Sequence, residues 1–386
     1  MTTALVLSGG GARAAYQVGV LKALGQLLPR TSHNPFPIIC GTSAGAINAL
    51  AIAGRPGPFR LRARKLEAIW RNMHAEDIYR TDVWGVLKNT LRLSLSLMHS
   101  GYGIGRSVAL LDNSPLQHLL DNYIRFRHID EAILSGELMA VSTTAMDYVS
   151  GKSVAFFQGN HECWTRSRRH GIRTGLNIDH LMASSAIPLI FPARAIDTRY
   201  YGDGAMRQLK PLSPALHLGA DRIFVIGVSD NPSHDQTVAA PRHSPSVAQM
   251  IGHLLNSAFI DSVESDLETL KAINKLVKTR PVNDPDAALE TGEQTEGSPL
   301  RYIDHLCISP STPIDEIAQE YFHELPQSVK LFLRAIGATK KGGGSSATSY
   351  LLFEPGFCRQ LIKLGYADAM AQKEAIETFF GLDKLK

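Results

Sequence analysis

Ser43 stands between two glycines in the segment Gly41-Thr42-Ser43-Ala44-Gly45. The spacing fits the Gly-x-Ser-x-Gly pattern of a nucleophile on a sharp turn between a strand and a helix. Glycines on either side leave the room that such a turn needs, because Cβ atoms there would collide with neighbouring elements. An apolar run precedes the motif and an alanine-rich helical pattern follows it. We therefore predict that Ser43 is a nucleophile; the alternative is an ordinary tight turn.

A second glycine-rich turn, Ser8-Gly9-Gly10-Gly11-Ala12-Arg13, also lies between an apolar run and a helical pattern. A dinucleotide-binding turn would need an acidic residue about 20 positions further on to hold the ribose. The stretch 29–37 contains neither Asp nor Glu. An oxyanion hole would instead offer consecutive amide N–H groups to developing negative charge, and the nearby serine favours this interpretation. Arg13 would then orient the loop or hold an anionic head group, unless it is an ordinary surface arginine.

A serine nucleophile requires a general base, and the sequence offers two kinds of candidate. Four of the 14 histidines follow Ser43 in the half of the chain where a hydrolase triad would place one: His217, His253, His305 and His323. None follows a convincing strand, so a position on a helix surface suits each of them better. Asp203 is the stronger candidate, because an aromatic strand pattern ends there between two glycines and lets the carboxylate project freely. An Asp-Gly pair alone would indicate only a hairpin turn.

Taken together, these motifs resemble those of the patatin-like phospholipases, in particular the serine-dependent lipid acyl hydrolases of the bacterial type. The resemblance covers roughly residues 4–230 and departs from the family at Ala14, where glycine is common. Alanine is small enough for the turn to survive. The blocks that carry it are, in order, Gly9-Gly10-Gly11-Ala12-Arg13, Gly41-Thr42-Ser43-Ala44-Gly45, Ser184-Ser185-Ala186-Ile187-Pro188-Leu189-Ile190-Phe191-Pro192 and Asp203-Gly204-Ala205.

The resemblance implies a Ser–Asp dyad that cleaves ester bonds of lipids through an acyl-enzyme, with Ser43 as nucleophile and Asp203 as base. The substrate of the implied enzyme would be a lipid or lysolipid, as for a phospholipase A or a lysophospholipase. The implied reaction requires no cofactor and no metal. A solvated Asp is a poor base at neutral pH, so we expect partial burial to raise its proton affinity. The implied oxyanion donors are the amides of Gly9, Gly10, Gly11 and Ala44.

The elements around these motifs alternate between strands and helices. Apolar runs at 4–7, 36–40, 138–143 and 222–228 predict buried strands, and the helical spacing of 14–28 and 46–53 predicts helices. Such alternation implies an α/β fold, with a mainly parallel central sheet flanked by helices in three layers. We expect a catalytic core over residues 1–230 and a mostly helical C-terminal extension over 231–386. Polar, turn-forming segments predict loops at 231–245, 283–299 and 340–346.

Composition narrows the classes of function and partner. Lys and Arg total 40 against 36 Asp and Glu, a mild excess that suits an anionic membrane surface. Nucleic-acid binding is not expected, since it would require clustered basic residues. Four scattered cysteines form no zinc or disulfide pattern, which favours a reducing compartment. Without a signal-peptide pattern, we expect a cytoplasmic protein that contacts the inner membrane surface peripherally; the oligomeric state stays open.

Residues 55–105 suggest a cap over the site. Basic residues cluster before Trp70, and leucines recur at 91–97, so this segment could dock on an anionic bilayer. A solvated helix beside a core helix would explain the same pattern. Two other classes of function stay open, a dinucleotide-binding oxidoreductase and a catalytically idle membrane-binding regulatory protein of the same fold. The basic cluster comprises Arg55, Arg60, Arg62, Arg64 and Lys65.

Overall fold

The computed structural model describes residues 1–82, 85, 109–229, 246–279, 301–335, 337 and 345–382. The predicted loops at 231–245 and 283–299 lie outside these residues, as does the segment 340–344. The strands are β1 (Thr3–Leu7), β2 (Ile38–Thr42), β3 (Ala140–Asp147), β4 (Ser153–Gly159), β5 (Trp164–Arg166), β6 (Arg169–Arg173), β7 (Arg194–Ile196), β8 (Arg199–Asp203), β9 (Arg222–Ile226) and β10 (Asp304–Ile308). The helices are α1 (Ala15–Leu27), α2 (Ala44–Ala53), α3 (Phe59–Trp70), α4 (Ala75–Ile78), α5 (Ser114–Tyr123), α6 (Phe126–Leu134), α7 (Ile178–Ser184), α8 (Ser213–His217), α9 (Val247–Asn256), α10 (Ser262–Thr279), α11 (Ile314–Tyr321), α12 (Gln327–Ala335), α13 (Ser345–Leu351), α14 (Pro355–Ala371) and α15 (Lys373–Phe380).

The described strands form one mixed sheet in the order β10-β9-β1-β2-β3-β4-β6-β5, with β7 and β8 attached beside β3. The five strands from β10 to β3 run parallel, which confirms the predicted parallel centre. Beyond them, β4 and β8 run antiparallel to β3. The parallel strands β1 and β9 are apolar after their first residues, Thr3 and Arg222, as expected for strands whose two faces are covered by helices.

Side chains of β1 show how the two faces divide. Leu5 and Leu7 pack into a larger core together with residues of α1, α2 and α14. Ala4 and Val6 face a smaller core formed with α8 and α10. Since successive side chains of a strand point to opposite faces, these cores lie on either side of the sheet. The arrangement is helix–sheet–helix, the three-layer α/β fold that the sequence predicts.

Strands β2 and β8 both pair with β3, on the side of β3 that faces away from β4, and their C-terminal ends meet head-on there. β2 runs parallel to β3 and pairs with it as far as Thr144, which lies opposite Thr42. β8 arrives from the other direction and pairs with the next residues, so that Asp203 lies opposite Ala145. Because Thr144 and Ala145 are adjacent, the residue after Thr42 and the last residue of β8 must lie close together.

The chain after residue 230 contributes to the same sheet and the same larger core. Its strand β10 pairs with β9, and α14 packs along α1. A Cβ atom added at Gly19 would meet the carbonyl oxygen of Ile362, and one added at Gly365 would meet that of Tyr16. Glycine permits this close approach of two helix backbones because it carries no side chain. The region is mostly helical, as the sequence predicts.

Candidate active site

Ser43 occupies the turn between β2 and α2 in a backbone conformation that L-residues rarely adopt, with φ 55° and ψ −130°. The glycines on either side are too closely packed to carry side chains. A Cβ atom at Gly41 would lie 2.5 Å from backbone atoms of α2, and one at Gly45 would meet the carbonyl oxygens of Leu7 and Ser8. Such strain persists only where the surrounding packing enforces it, and it is common at functional sites.

Asp203, at the end of β8, lies within hydrogen-bond reach of Ser43. The Ser43 hydroxyl donates to Asp203 Oδ2 at 2.5 Å, and both residues are buried, 2% and 0% exposed. The other carboxylate oxygen accepts from the amide N–H of Ala205 at 2.9 Å, which fixes its orientation. The contact follows from the head-on meeting of β2 and β8. The structure thus brings together the two side chains that the sequence singles out as nucleophile and base.

The end of α7 and the residues that follow it hold both residues through their backbone atoms. Ser184 Oγ accepts from the amide N–H of Ser43 at 2.9 Å and donates to the carbonyl oxygen of Thr144 at 2.6 Å. The carbonyl oxygen of Ala186 accepts from the amide N–H of Asp203 at 2.8 Å. This short segment therefore fixes the two strand ends relative to each other.

Burial raises the pKa of Asp203 from 3.8 to about 7, although hydrogen bonds from Ser43 and from the Ala205 amide favour the ionised form. Moving a carboxylate out of water disfavours its charged form, and here that effect exceeds the effect of the two hydrogen bonds. A carboxylate with a pKa near 7 takes up a proton more readily than a solvated one. Asp203 is therefore more basic than a solvated aspartate.

We expect the stability of Asp203→Asn, relative to the wild type, to increase between pH 4 and pH 8. The native carboxyl keeps its proton up to about pH 7, whereas the unfolded one loses it near pH 3.8. The stabilisation from the raised pKa is complete below pH 3.8 and is lost as the pH rises through 7, by up to about 4 kcal/mol. Asparagine does not titrate. Urea unfolding of both proteins measures the difference, and a value constant with pH would contradict the raised pKa.

The glycine turn follows β1 and lies against the Ser43 turn. A Cβ atom at Gly9 would lie 3.1 Å from Cβ of Ser43. Gly11 has a φ of 55°, and a Cβ atom there would meet the carbonyl oxygen of Tyr350. Within the described residues, the amide N–H groups of the three glycines donate no hydrogen bond. Ala44 is the first residue of α2, where the amide N–H has no partner within the helix, so this part of the site offers several free donors.

Aromatic residues from the C-terminal region cover the glycine turn. A Cβ atom at Gly9 would lie 2.5 Å from the ring of Phe259, whose centre is 5.3 Å from that of Tyr350. A dinucleotide-binding turn requires its pyrophosphate to approach the glycine backbone closely. Phe259 and the backbone of Tyr350 occupy space beside that backbone, which favours the oxyanion interpretation over the dinucleotide one.

Arg13 is buried, with 1% of its surface exposed. The alternative that it is an ordinary surface arginine is therefore wrong. Its guanidinium pairs with Asp315, donates from Nε to Ser349 Oγ at 2.8 Å and lies 4.2 Å from the centre of the Tyr350 ring. These contacts join the turn after β1 to α11 and α13. They favour loop orientation over contact with a head group, because the guanidinium is already paired inside the protein.

We expect Asp315→Asn to lower the free energy of unfolding by about 2 kcal/mol, because Arg13 would stay buried beside a neutral partner. Glu320→Gln is the matched control, since it removes one negative charge from an exposed position of the same helix, α11. Exposed substitutions of this kind usually change stability by less than about 0.5 kcal/mol. Chemical denaturation compares both variants with the wild type. Equal effects would show that the Arg13 pair contributes little.

An apolar pocket includes Ser43 and extends along one face of α2 through Ala44, Ile47 and Ala51. It encloses about 710 Å³ of empty space, open mouth included. The lining suits an apolar ligand whose polar end lies at Ser43. Aliphatic and aromatic side chains from several elements complete the wall, among them Leu66, Trp70, Leu116, Leu120, Phe191 and Phe353.

The predicted basic cluster does not form one cationic surface. Arg62 is buried in α3 and pairs with Glu137, so its predicted place in an exposed patch is wrong. Other residues of α3 line the apolar pocket, which makes this helix a wall of the pocket. The leucine-rich segment 91–97 of the predicted cap lies outside the described residues. Arg55 and Lys65 border a surface groove, and contact with an anionic membrane stays a prediction.

Neither a membrane-spanning helix nor a metal-binding cluster occurs among the described residues. None of its helices combines the length and the apolar character that crossing a bilayer requires. The same residues contain no group of three or more His, Cys, Asp or Glu side chains placed to bind a metal ion. Burial raises the pKa of Asp203, and the hydrogen bonds from Ser43 and from the Ala205 amide reduce that rise.

Sequence patterns missed the C-terminal residues of the site. Tyr350 and Phe353 line the apolar pocket, and Asp315 pairs with Arg13 across 302 positions of sequence. No local motif marks them, although the apolar run 350–353 indicates a buried element. The contact of Ser184 with the Ser43 amide was also missed. The motif that contains Ser184 is visible in the sequence, but the hydrogen bond depends on how α7 packs beside β2.

A model of the patatin-like phospholipase family matches residues 5–216, which include the glycine turn, Ser43 and Asp203. A cGAMP-activated phospholipase of Pseudomonas aeruginosa is 27% identical over 203 residues, which are 52% of this chain and 52% of that protein. The calcium-independent phospholipase A2-gamma of Rattus norvegicus is 26% identical over 216 residues, 55% of this chain and 25% of that protein. The matches thus span about half of the first relative and a quarter of the second.

Among solved structures, human GIVD cytosolic phospholipase A2 in complex with methyl gamma-linolenyl fluorophosphonate aligns with 99% of this chain and 59% of that chain. The TM-score is 0.44 and the sequence identity 13%, a likeness too slight to support a conclusion about function. The family match covers more than half of the 386 residues and includes every motif that carries the resemblance. This chain therefore belongs to the patatin-like phospholipase family.

Proposed function

We propose that the protein hydrolyses carboxylic esters of lipids, as a phospholipase A or lysophospholipase-type esterase, with Ser43 as nucleophile and Asp203 as base. The observation that carries the proposal is the 2.5 Å contact between their side-chain oxygens. Both residues are buried, and Ser43 lines the apolar pocket. Family membership supports lipid acyl hydrolysis as the class of reaction, and the relatives are named as phospholipases.

In the proposed first step, Asp203 acts on Ser43 directly, without a histidine between them. The ionised carboxylate takes the hydroxyl proton of Ser43 while the Ser43 oxygen attacks the carbonyl carbon of the ester. The tetrahedral intermediate then collapses, the bond to the alkoxy oxygen breaks, and Asp203 gives its proton to that oxygen. The alcohol or lysolipid departs, and the acyl group remains on Ser43.

The oxyanion of the intermediate is proposed to bind the amide N–H groups of Gly9, Gly10, Gly11 and Ala44. Donors that are fixed in advance cost no reorganisation when charge develops, and one such donor typically contributes roughly 100- to 1000-fold in rate. The proposal is supported by the unbonded glycine amides beside Ser43 and by the N-terminus of α2, the positive end of the helix dipole. Arg13 orients the turn through Asp315 and Ser349.

In the second step, water replaces the departed alcohol. Asp203 is ionised again after protonating the leaving oxygen, so it can take a proton from water as the water oxygen attacks the acyl carbon. The bond to Ser43 breaks, the proton returns to the Ser43 oxygen, and a fatty acid leaves. One carboxylate therefore serves both halves of the reaction.

The apolar pocket is proposed to hold the acyl chain, since it begins at Ser43 and its wall is mainly aliphatic and aromatic. Each buried CH2 group contributes about 0.8 kcal/mol, so substrate affinity should increase with chain length until the pocket is filled. The same wall excludes water from the chain. The polar part of the lipid then remains at the mouth, next to the dyad.

A fluorophosphonate probe and a lipid panel test the proposed function. We expect the wild type to be labelled at Ser43, because such probes react with activated serines, and to release fatty acid from at least one phospholipid, lysophospholipid or acylglycerol. Mass spectrometry identifies both the labelled residue and the products. Labelling without any product would leave other acyl esters or thioesters as substrates. If the wild type showed neither labelling nor product, the alternative of a catalytically idle membrane-binding protein would replace the proposal.

A further inference from the structure

Ser185 is a buried hydroxyl that has no hydrogen-bond partner among the described residues. It is 6% exposed and lines the apolar pocket together with Ser43. An unpaired buried hydroxyl is unfavourable, and in a binding pocket such a group indicates a polar atom of the ligand as its partner. No step of the reaction described above uses this hydroxyl.

The chain neighbours of Ser185 contact the backbone of both dyad residues. Ser184 accepts a hydrogen bond from the amide of Ser43 at 2.9 Å, and Ala186 accepts one from the amide of Asp203 at 2.8 Å. Ser185 lies between these two anchors. Apart from Ser43, the pocket wall around it is apolar or aromatic, and the hydroxyl of the aromatic residue Tyr350 is already bonded to Asn256 at 2.9 Å. The ester group of a bound substrate would bring a polar partner to Ser185.

We propose that Ser185 donates a hydrogen bond to the alkoxy oxygen of the bound ester, the atom that leaves with the alcohol. The inference rests on the proposed function. The carbonyl oxygen faces the oxyanion donors, so the alkoxy oxygen is the acceptor that remains. Negative charge develops on it as its bond to the carbonyl carbon breaks, and a hydrogen bond to a charged acceptor is stronger than one to a neutral acceptor. Asp203 supplies the proton that this oxygen finally takes, and Ser185 keeps its own.

The test compares two esters of one fatty acid, the lipid ester that the wild type cleaves fastest and the p-nitrophenyl ester. The value of kcat/KM reports the steps up to formation of the acyl-enzyme. Both esters form the same acyl-enzyme, because they carry the same fatty acid. We expect Ser185→Ala to lower kcat/KM for the lipid ester by about 10- to 100-fold. The p-nitrophenyl ester should be nearly unaffected, because p-nitrophenolate departs without help from a hydrogen bond.

Two variants separate this role from a merely structural one. Thr143→Val removes another buried hydroxyl without a described partner, outside the described pocket wall, and should leave the ratio of the two kcat/KM values unchanged. Ser185→Thr keeps a hydroxyl and should restore part of the lipid-ester activity. Equal losses on both esters in Ser185→Ala, or no loss on either, would overturn the inference while leaving the proposed function intact. A wild type that cleaves no ester would overturn both.

Discussion

Ser43→Ala is expected to lower kcat for lipid ester hydrolysis by about 10⁴- to 10⁶-fold. Alanine cannot form the acyl-enzyme, so only the oxyanion donors and substrate binding would remain to accelerate attack by water. Fatty-acid release at saturating substrate measures the loss, and labelling by a fluorophosphonate should disappear with it. Turnover close to that of the wild type would identify a different nucleophile.

Ser43→Gly is the companion variant that separates chemistry from folding. It should be as inactive as Ser43→Ala, yet more stable by about 1 kcal/mol, because glycine adopts positive φ without a steric penalty. The φ of 55° at Ser43 is the source of this expected difference. Thermal unfolding of the two variants measures it. If the alanine variant proved as stable as the glycine variant, the turn would store no strain.

Asp203→Asn is expected to lower kcat by about 10³- to 10⁴-fold, because an amide cannot take the proton of Ser43. The activity of the wild type should likewise depend on the ionised form of Asp203, and its pH profile should show this. Only the ionised carboxylate accepts a proton, and its pKa is raised to about 7. The value of kcat/KM should therefore rise with pH up to about 7 and then level off. A profile that is already flat at pH 5 would contradict the role of Asp203.

Asp266→Asn is the matched control for this variant. Asp266 is another buried carboxyl whose pKa is raised by burial, but it accepts from the amide of Leu212 and pairs with Lys210. Its replacement should leave turnover near the wild-type level. If Asp203→Asn were active while substitution of a histidine abolished turnover, a triad would replace the dyad. The histidines to test are His217, His253, His305 and His323.

Local patterns in the sequence predicted the elements that carry the dyad. The apolar runs at 4–7 and 222–228 correspond to β1 and β9, and the helical spacing at 46–53 corresponds to most of α2. Each of these patterns is complete within about ten residues. The turn at Ser43 was predictable for the same reason, because its flanking glycines are required by contacts with the adjoining strand and helix.

The contacts made by the C-terminal region could not be predicted in the same way. β10 was missed within a mostly helical stretch, because this edge strand begins with the polar residues Asp304 and His305 and shows only a short apolar pattern. The partners of Arg13 lie 302 and 336 positions away. Such pairs depend on how α11 and α13 pack over the glycine turn, and packing at that distance leaves no periodic pattern in the sequence.

Because β2 and β8 end at adjacent residues of β3, strand β3 determines the distance between Ser43 and Asp203. Ser43 and Asp203 are 160 positions apart in the sequence. Their separation in space is nevertheless set by the adjacent residues Thr144 and Ala145 of β3. Connections outside the paired strands can therefore lengthen, shorten or diverge in evolution without moving the two oxygens. A single residue inserted between Thr144 and Ala145 would shift one register against the other and separate the two side chains.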